Sequence, residues 1–188
     1  MLKEPRPGRV KTRLGRDIGM TAAAWWFRHQ TASLLRRIDD PRWHTVLAVS
    51  PEIQGLTSRI WRKSLPRVPQ GGGDLGQRMA RVMARFPTRR VCVIGADIPG
   101  ITPTRIAHAA TLLGRHDAVF GPAEDGGYWL VGLRRGGLAT PRMFAGVRWS
   151  TPHALADTMA ALDGWRIGLA DRLADIDTGA DLHRLNRR

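Results

Sequence analysis

The side chains that could do chemistry in this chain fall into one basic, glycine-containing turn and three short acidic segments. The turn is Pro7-Gly8-Arg9-Val10-Lys11-Thr12-Arg13-Leu14. Gly8 permits a positive φ and close approach of the backbone, while Arg9, Lys11 and Arg13 add charge and hydrogen-bond donors. Together they are suited to closing over a phosphate. A basic run of this length is also a common form of solvated surface, so neighbouring motifs have to decide between the two.

The first acidic segment is Gly95-Ala96-Asp97-Ile98-Pro99, directly after an apolar run. A carboxylate at the carboxyl end of a parallel strand faces the cleft and can hold a hard divalent cation against phosphate oxygens. The plainer alternative is a turn Asp that bonds its own backbone before proline. The second is Asp175-Ile176-Asp177-Thr178-Gly179-Ala180-Asp181, one of whose carboxylates could complete a metal shell. Capping of a terminal helix by Asp177 or Thr178 explains the same residues. The third is Glu124-Asp125-Gly126-Gly127-Tyr128. Asp125 could act as general base toward an acceptor hydroxyl, with Gly126, Gly127, Tyr128 and the flanking Trp129 and Trp149 lining an acceptor pocket; a hairpin turn and, for the Trp, core packing are the structural alternatives. A glycine-rich stretch, Gln70-Gly71-Gly72-Gly73-Asp74-Leu75-Gly76, could offer Gln70, Gly71, Gly73 and Asp74 to a nucleotide or serve as a flexible connector.

The six histidines show no metal-ligand spacing, and no GxSxG, P-loop or GxGxxG motif occurs. One cysteine, Cys92, excludes a disulfide framework and a thiolate metal site. No apolar stretch reaches the ~20 residues of a membrane helix, and the basic N-terminus lacks the apolar core of a secretory signal, so a cytoplasmic protein is expected. The formal net charge of +14 raises the possibility of a non-catalytic nucleic-acid-binding protein. Of the 30 cations 27 are Arg, spread along the chain without a nucleic-acid motif, which argues against nucleic acid and fits a compositional bias. Anionic small substrates satisfy the same electrostatics.

The elements that must position these residues alternate. Helices are predicted over 21–38, with Ala24, Phe27, Leu34, Leu35 and Ile38 on one side, over 53–63, from Asp74 as N-cap through Phe86, and from Thr102 with Pro103 at the first position to about Leu113. A further helix follows Pro152 to about Leu162, and Asp181 opens the last. Strands are predicted over 44–49, 90–95, 117–120, 128–133 and 165–169. Strands alternating with helices over 188 residues imply one domain, 1–188: an α/β/α three-layer sandwich with a mostly parallel central sheet.

The ordered set K-x-P-x-P-G-x-V-K-T-R-L, Q-G-x-G-D-L-G-x-R-M, G-A-D-x-P, G-P-A-x-D-G-G-Y, W-S-T and D-x-D-T-x-x-D-L resembles a glycosyltransferase-like family of GT-A fold associated with arsenosugar biosynthesis (DUF2064). That family is related to molybdenum-cofactor and phospholactate guanylyltransferases. The resemblance covers essentially the whole chain. It implies a nucleotide-diphospho-sugar transferase fold in which Gly8, Arg9, Lys11 and Arg13 grip phosphates, Gln70 to Gly76 approaches base and ribose, Asp97 and Asp177 bind Mg²⁺ or Mn²⁺, and Asp125 sits near the acceptor. Relatives begin with an apolar strand of the type L-I-V-F-A before Lys-x-Pro, whereas here Met1-Leu2-Lys3 stands in its place, so a truncated first strand is expected. Relatives also tend to show Pro-Glu where Gly179-Ala180 occurs.

The expectation is a metal-dependent transferase using a nucleotide or nucleotide-sugar donor and a small-molecule acceptor, most readily a glycosyltransferase. The alternative within the same fold is a nucleotidyltransferase that releases pyrophosphate. The absence of an L-A-G-G-x-S-x-R loop favours sugar transfer.

Overall fold

The computed structural model describes residues 1–186. Seven strands and seven helices alternate: β1 (Leu2–Lys3), α1 (Thr12–Ile18), α2 (Met20–Arg37), β2 (Leu47–Ser50), α3 (Glu52–Thr57), β3 (Arg67–Pro69), α4 (Leu75–Ala84), β4 (Val91–Ile94), α5 (Pro103–Leu112), β5 (Ala118–Pro122), β6 (Tyr128–Leu133), α6 (Ala154–Ala160), β7 (Ile167–Leu169) and α7 (Gly179–Asn186). β1, β2 and β3 form a parallel sheet, and β4, β6, β5 and β7 lie side by side in a second. β6 alone runs antiparallel to its neighbours β4 and β5, and β7 is parallel to β5.

Alternate residues of the strands enter two different cores. Val119 of β5 and Leu130 of β6 join Phe27, Leu34 and Leu35 of α2 and Ile106 and Ala109 of α5. Ala118, Phe120, Val131 and Leu133 join Met79, Ala80 and Met83 of α4 and Ala154 of α6. The period of two along a strand sends neighbours to opposite faces, so both faces are covered by helices and the expected three layers result. The face predicted for the 21–38 helix is the buried one, from Ala24 to Ile38.

The first strand is short, as expected: β1 has two residues, pairing Leu2 with Val49 and Lys3 with Ser50. The seam to β4 is bridged by the Met1 amino group, which donates to the Ile94 carbonyl at 2.6 Å. β4 is half-buried along its length rather than the fully buried strand its apolar sequence predicts.

Two predicted elements are corrected. The 53–63 helix stops at Thr57, because the Arg67 guanidinium takes the carbonyls of Leu56, Ser58 and Trp61 at 2.9, 2.7 and 3.1 Å and draws the chain out of helical register. The terminal helix opens at Gly179, two residues before Asp181. No helix among the described residues is long and apolar enough to cross a membrane.

Candidate active site

The basic turn ends in a conformation that few side chains accept. Gly8 has φ 72°, and Lys11 itself is left-handed, with φ 46° and ψ 48°. A non-glycine residue there costs on the order of 1–3 kcal/mol and persists only where surroundings enforce it. Here the enforcement is electrostatic. The Lys11 Nζ lies 2.7 Å from an Asp97 oxygen and 2.6 Å from an Asp177 oxygen, and the Lys11 side chain is 6% exposed. Burial disfavours the ammonium, but attraction and hydrogen bonds to the two carboxylates outweigh it and raise its pKa above that of an ordinary lysine. Arg13 reaches the other Asp177 oxygen at 3.1 Å from the surface.

Each carboxylate is held from behind. Asp97 opens the 97–101 segment after β4, whose carbonyls are tied to guanidinium groups: Arg37 donates to Ile101 and Pro99 at 2.7 and 2.8 Å, and Arg105 donates to Gly100. Asp177 follows the buried Ile176, which packs with Leu14 of α1, Ala23 of α2 and Leu182 of α7. That apolar contact brings the C-terminal segment to the basic turn across more than 160 residues of sequence. One Asp181 oxygen accepts from the backbone amides of Asp177 and Thr178 and from the Thr178 hydroxyl. The capping work expected of Asp177 therefore falls to Asp181 and Thr178, leaving the Asp177 carboxylate to the cations.

Asp175 joins the cluster although its sequence position does not single it out from its neighbours. The segment 171–177 runs beside the β5–β6 turn, with the Leu173 amide on the Pro122 carbonyl at 3.0 Å and the Glu124 amide on the Leu173 carbonyl at 3.1 Å. Half-buried there, Asp175 has its pKa pushed up to about 6 by desolvation first and then by repulsion from Asp177, Asp125 and Asp97, with Lys11 opposing. Asp125 sits exposed in the turn and accepts from the Gly127 amide at 2.9 Å. Gly126, at φ 84°, lies against the backbone of Pro152, which locks the turn to the Trp149–Pro152 loop.

A cavity of about 480 Å³ opens at this cluster. Its lining includes the polar Arg9, Lys11, Thr12, Arg78 and Asp97 and the apolar Leu75, Met79, Val93 and Val131. Gln70 and Leu75 of the glycine-rich stretch line the cavity, whereas Gly71, Gly73 and Asp74 are not among its lining residues, and the stretch is not a loose connector. Arg81 donates to the carbonyls of Gln70 and Gly72 at 2.8 and 2.9 Å, and Arg78 to that of Gly73 at 3.0 Å. Asp74 and Gln77 form a capping box at the start of α4. Gly71 and Gly73 have the positive φ values that carry the chain around these side chains.

Other expected site residues are placed in supporting positions. Gln70 lines the cavity, but its side chain is buried and its amide donates to Leu2 and Ala48 carbonyls at 3.0 and 2.8 Å. Trp149 packs on Phe144, Gly76 and the Tyr128 ring. The Tyr128 ring stacks edge-on against Phe120. Trp129 is a core residue whose indole donates to the Asp171 carbonyl at 2.8 Å.

Two carboxylate oxygens that share one ammonium at 2.6 and 2.7 Å lie no more than 5.3 Å apart. Among the described residues, no three His, Cys, Asp or Glu gather tightly enough to cage a metal alone. Asp97 lines the cavity and Asp177 shares the Lys11 ammonium with it; two such carboxylates are nevertheless the donor set Mg²⁺ commonly uses, with phosphate and water supplying the remaining ligands. Asp97 and Asp177 therefore fit a hard divalent cation.

The chain is 30% identical to the putative nucleotide-diphospho-sugar transferase of Desulfovibrio desulfuricans G20, whose crystal structure superposes with a TM-score of 0.85 over 99% of this chain and 84% of that one. Curated proteins give no match. Residues 34–151 match the model of a family described as uncharacterized protein conserved in bacteria, DUF2064. That span together with the whole-chain likeness places the protein in a family: it belongs to DUF2064.

Proposed function

We propose that the protein is a metal-dependent transferase acting on a nucleotide-activated donor, and that the group it transfers is a sugar from a nucleotide-diphospho-sugar. The observation that carries this reading is the Lys11 ammonium held between Asp97 and Asp177 on the lining of a cavity of about 480 Å³ that Arg9 and Arg78 also line. The likeness to the putative nucleotide-diphospho-sugar transferase from Desulfovibrio supports the donor class.

In this reading Arg9, Arg78 and Lys11 bind the donor's diphosphate, and Thr12 lines the same cavity. Asp97 and Asp177 hold Mg²⁺ or Mn²⁺, which supplies charge neutralisation for the leaving diphosphate, a contribution of several kcal/mol to barrier reduction. Arg37 and Arg105 fix the backbone that carries Asp97. Asp125 accepts a hydrogen bond from the acceptor hydroxyl and orients its oxygen toward the donor. The Gly126–Pro152 contact holds that turn in place.

Binding to the native state raises apparent stability by mass action, so a thermal-shift screen of nucleoside diphosphates, nucleotide sugars and nucleoside triphosphates, each with and without Mn²⁺, tests the reading. Nucleotide sugars should raise the melting temperature only with Mn²⁺, and Asp97→Asn should lose that gain. Turnover of nucleoside triphosphates with pyrophosphate release, and none of nucleotide sugars, would replace sugar transfer with nucleotidyl transfer. Metal-dependent nucleotide binding unchanged in Asp97→Asn would remove the metal role.

A further inference from the structure

We infer that the Lys11 ammonium is the resident cation of the carboxylate pair, and that a divalent ion enters only by displacing it toward the donor's phosphates. The inference rests on Asp97 and Asp177 being the metal's carboxylates. The ammonium lies 2.7 and 2.6 Å from oxygens of the two residues and is almost sealed from solvent. An ion bound to both oxygens at the ~2.1 Å typical of Mg²⁺ needs the space the ammonium fills, and two cations at that separation repel strongly. Lys11 has a flexible four-carbon stem, and Arg9, Lys11 and Thr12 border one cavity. A diphosphate bound there offers the displaced ammonium new anionic partners, whereas an empty cavity offers none. Metal alone therefore binds weakly, diphosphate strengthens it, and by linkage the metal strengthens diphosphate binding by the same factor. Arg13 is already surface-exposed at Asp177, so its release costs little by comparison.

Mn²⁺ alone, followed by the electron-paramagnetic signal of the free ion and without nucleotide, is the probe. Lys11→Met should bind Mn²⁺ about tenfold more tightly than the wild type or better, within the usual range of allosteric coupling. Lys11→Arg, which keeps the charge, should stay near the wild type. Equal or weaker binding by Lys11→Met, with binding abolished in Asp97→Asn, overturns the inference and leaves the metal reading standing. Mn²⁺ binding unaffected by Asp97→Asn, or absent from every variant, overturns the metal reading and this inference with it. Should Lys11→Met fail to fold, the wild type can be read directly. It has three lysines, Lys3, Lys11 and Lys63, so the Lys11 ammonium resonance can be assigned by nuclear magnetic resonance. Mg²⁺ should move it toward the position of a free lysine, and a resonance that stays fixed at saturating Mg²⁺ refutes displacement.

Discussion

Replacing Asp175 with Asn should stabilise the protein near neutral pH and do little in acid. Asp175 carries a pKa raised from 3.8 to about 6, through desolvation and then through repulsion from Asp177, Asp125 and Asp97. For an acid raised on folding, the unfolded chain releases its proton first. The native state is therefore penalised progressively as pH climbs from about 4 to about 6, and the penalty is complete above that interval. At 1.36 kcal/mol per pH unit the fully buried limit is about 3 kcal/mol. Asp175 is only half-buried, and solvent screening reduces this to about 1–2 kcal/mol.

For a chain of this size that corresponds to about 3–6 °C in melting temperature. The assay is thermal unfolding by circular dichroism of wild type and Asp175→Asn at about pH 7.5 and about pH 4, with a chelator present so that no divalent cation shifts the titration. The variant should melt higher at the upper pH, and the two curves should converge at the lower. A variant no more stable than wild type at about pH 7.5, or one whose gain persists undiminished at about pH 4, would show that Asp175 is not held among like charges.

Gly126→Ala should be strongly destabilising. At φ 84° its new methyl group would collide with the backbone of Pro152, and a loss of about 2–4 kcal/mol in urea denaturation is expected. Gly72→Ala, where nothing lies within 4 Å of the added methyl, is the control and should change stability by less than about 0.5 kcal/mol. Arg37→Gln removes the donors to Ile101 and Pro99, at a cost of about 2 kcal/mol or more in the same titration. Because those carbonyls belong to the segment that carries Asp97, Arg37→Gln should also reduce nucleotide-induced thermal stabilisation more than Arg62→Gln does, Arg62 being engaged in an exposed pair with Asp39.

What the sequence disclosed follows from how local each signal is. α5 and α4 announce themselves, because Thr102-Pro103 and the Asp74–Gln77 capping box are satisfied within three residues of chain. α2 is legible from one buried face. α1 is not: its first residue follows a left-handed Lys11 with no side-chain cap, and that conformation is stabilised by carboxylates far away in sequence. β3, only Arg-Val-Pro, carries too little apolar pattern to register. The same division holds at the site. Lys11, Asp97 and Asp177 stand out by motif, and the fold brings both carboxylates within hydrogen-bond distance of the Lys11 ammonium. Asp175 could not be separated from its neighbours, because its raised pKa arises from the pairing of Leu173 with the β5–β6 turn.

The charge arrangement makes Lys11 more than one phosphate contact among several. Asp97, Asp125 and Asp177 are close enough to Asp175 for each to raise its pKa, while Lys11 lowers it. With no ligand bound, the almost sealed ammonium and the more exposed Arg13 are what offset this concentration of negative charge. A divalent ion at Asp97 and Asp177 can take over that task with twice the charge. The lysine is then available to the donor's phosphates without leaving the carboxylates unbalanced. Because Lys11 stands beside the carboxylates and also on the cavity lining, one side chain can stabilise the empty site and contribute to the filled one. Its left-handed backbone is understandable on the same ground: Asp97 and Asp177 offset the strain in the first state and, in the proposed function, phosphate would do so in the second.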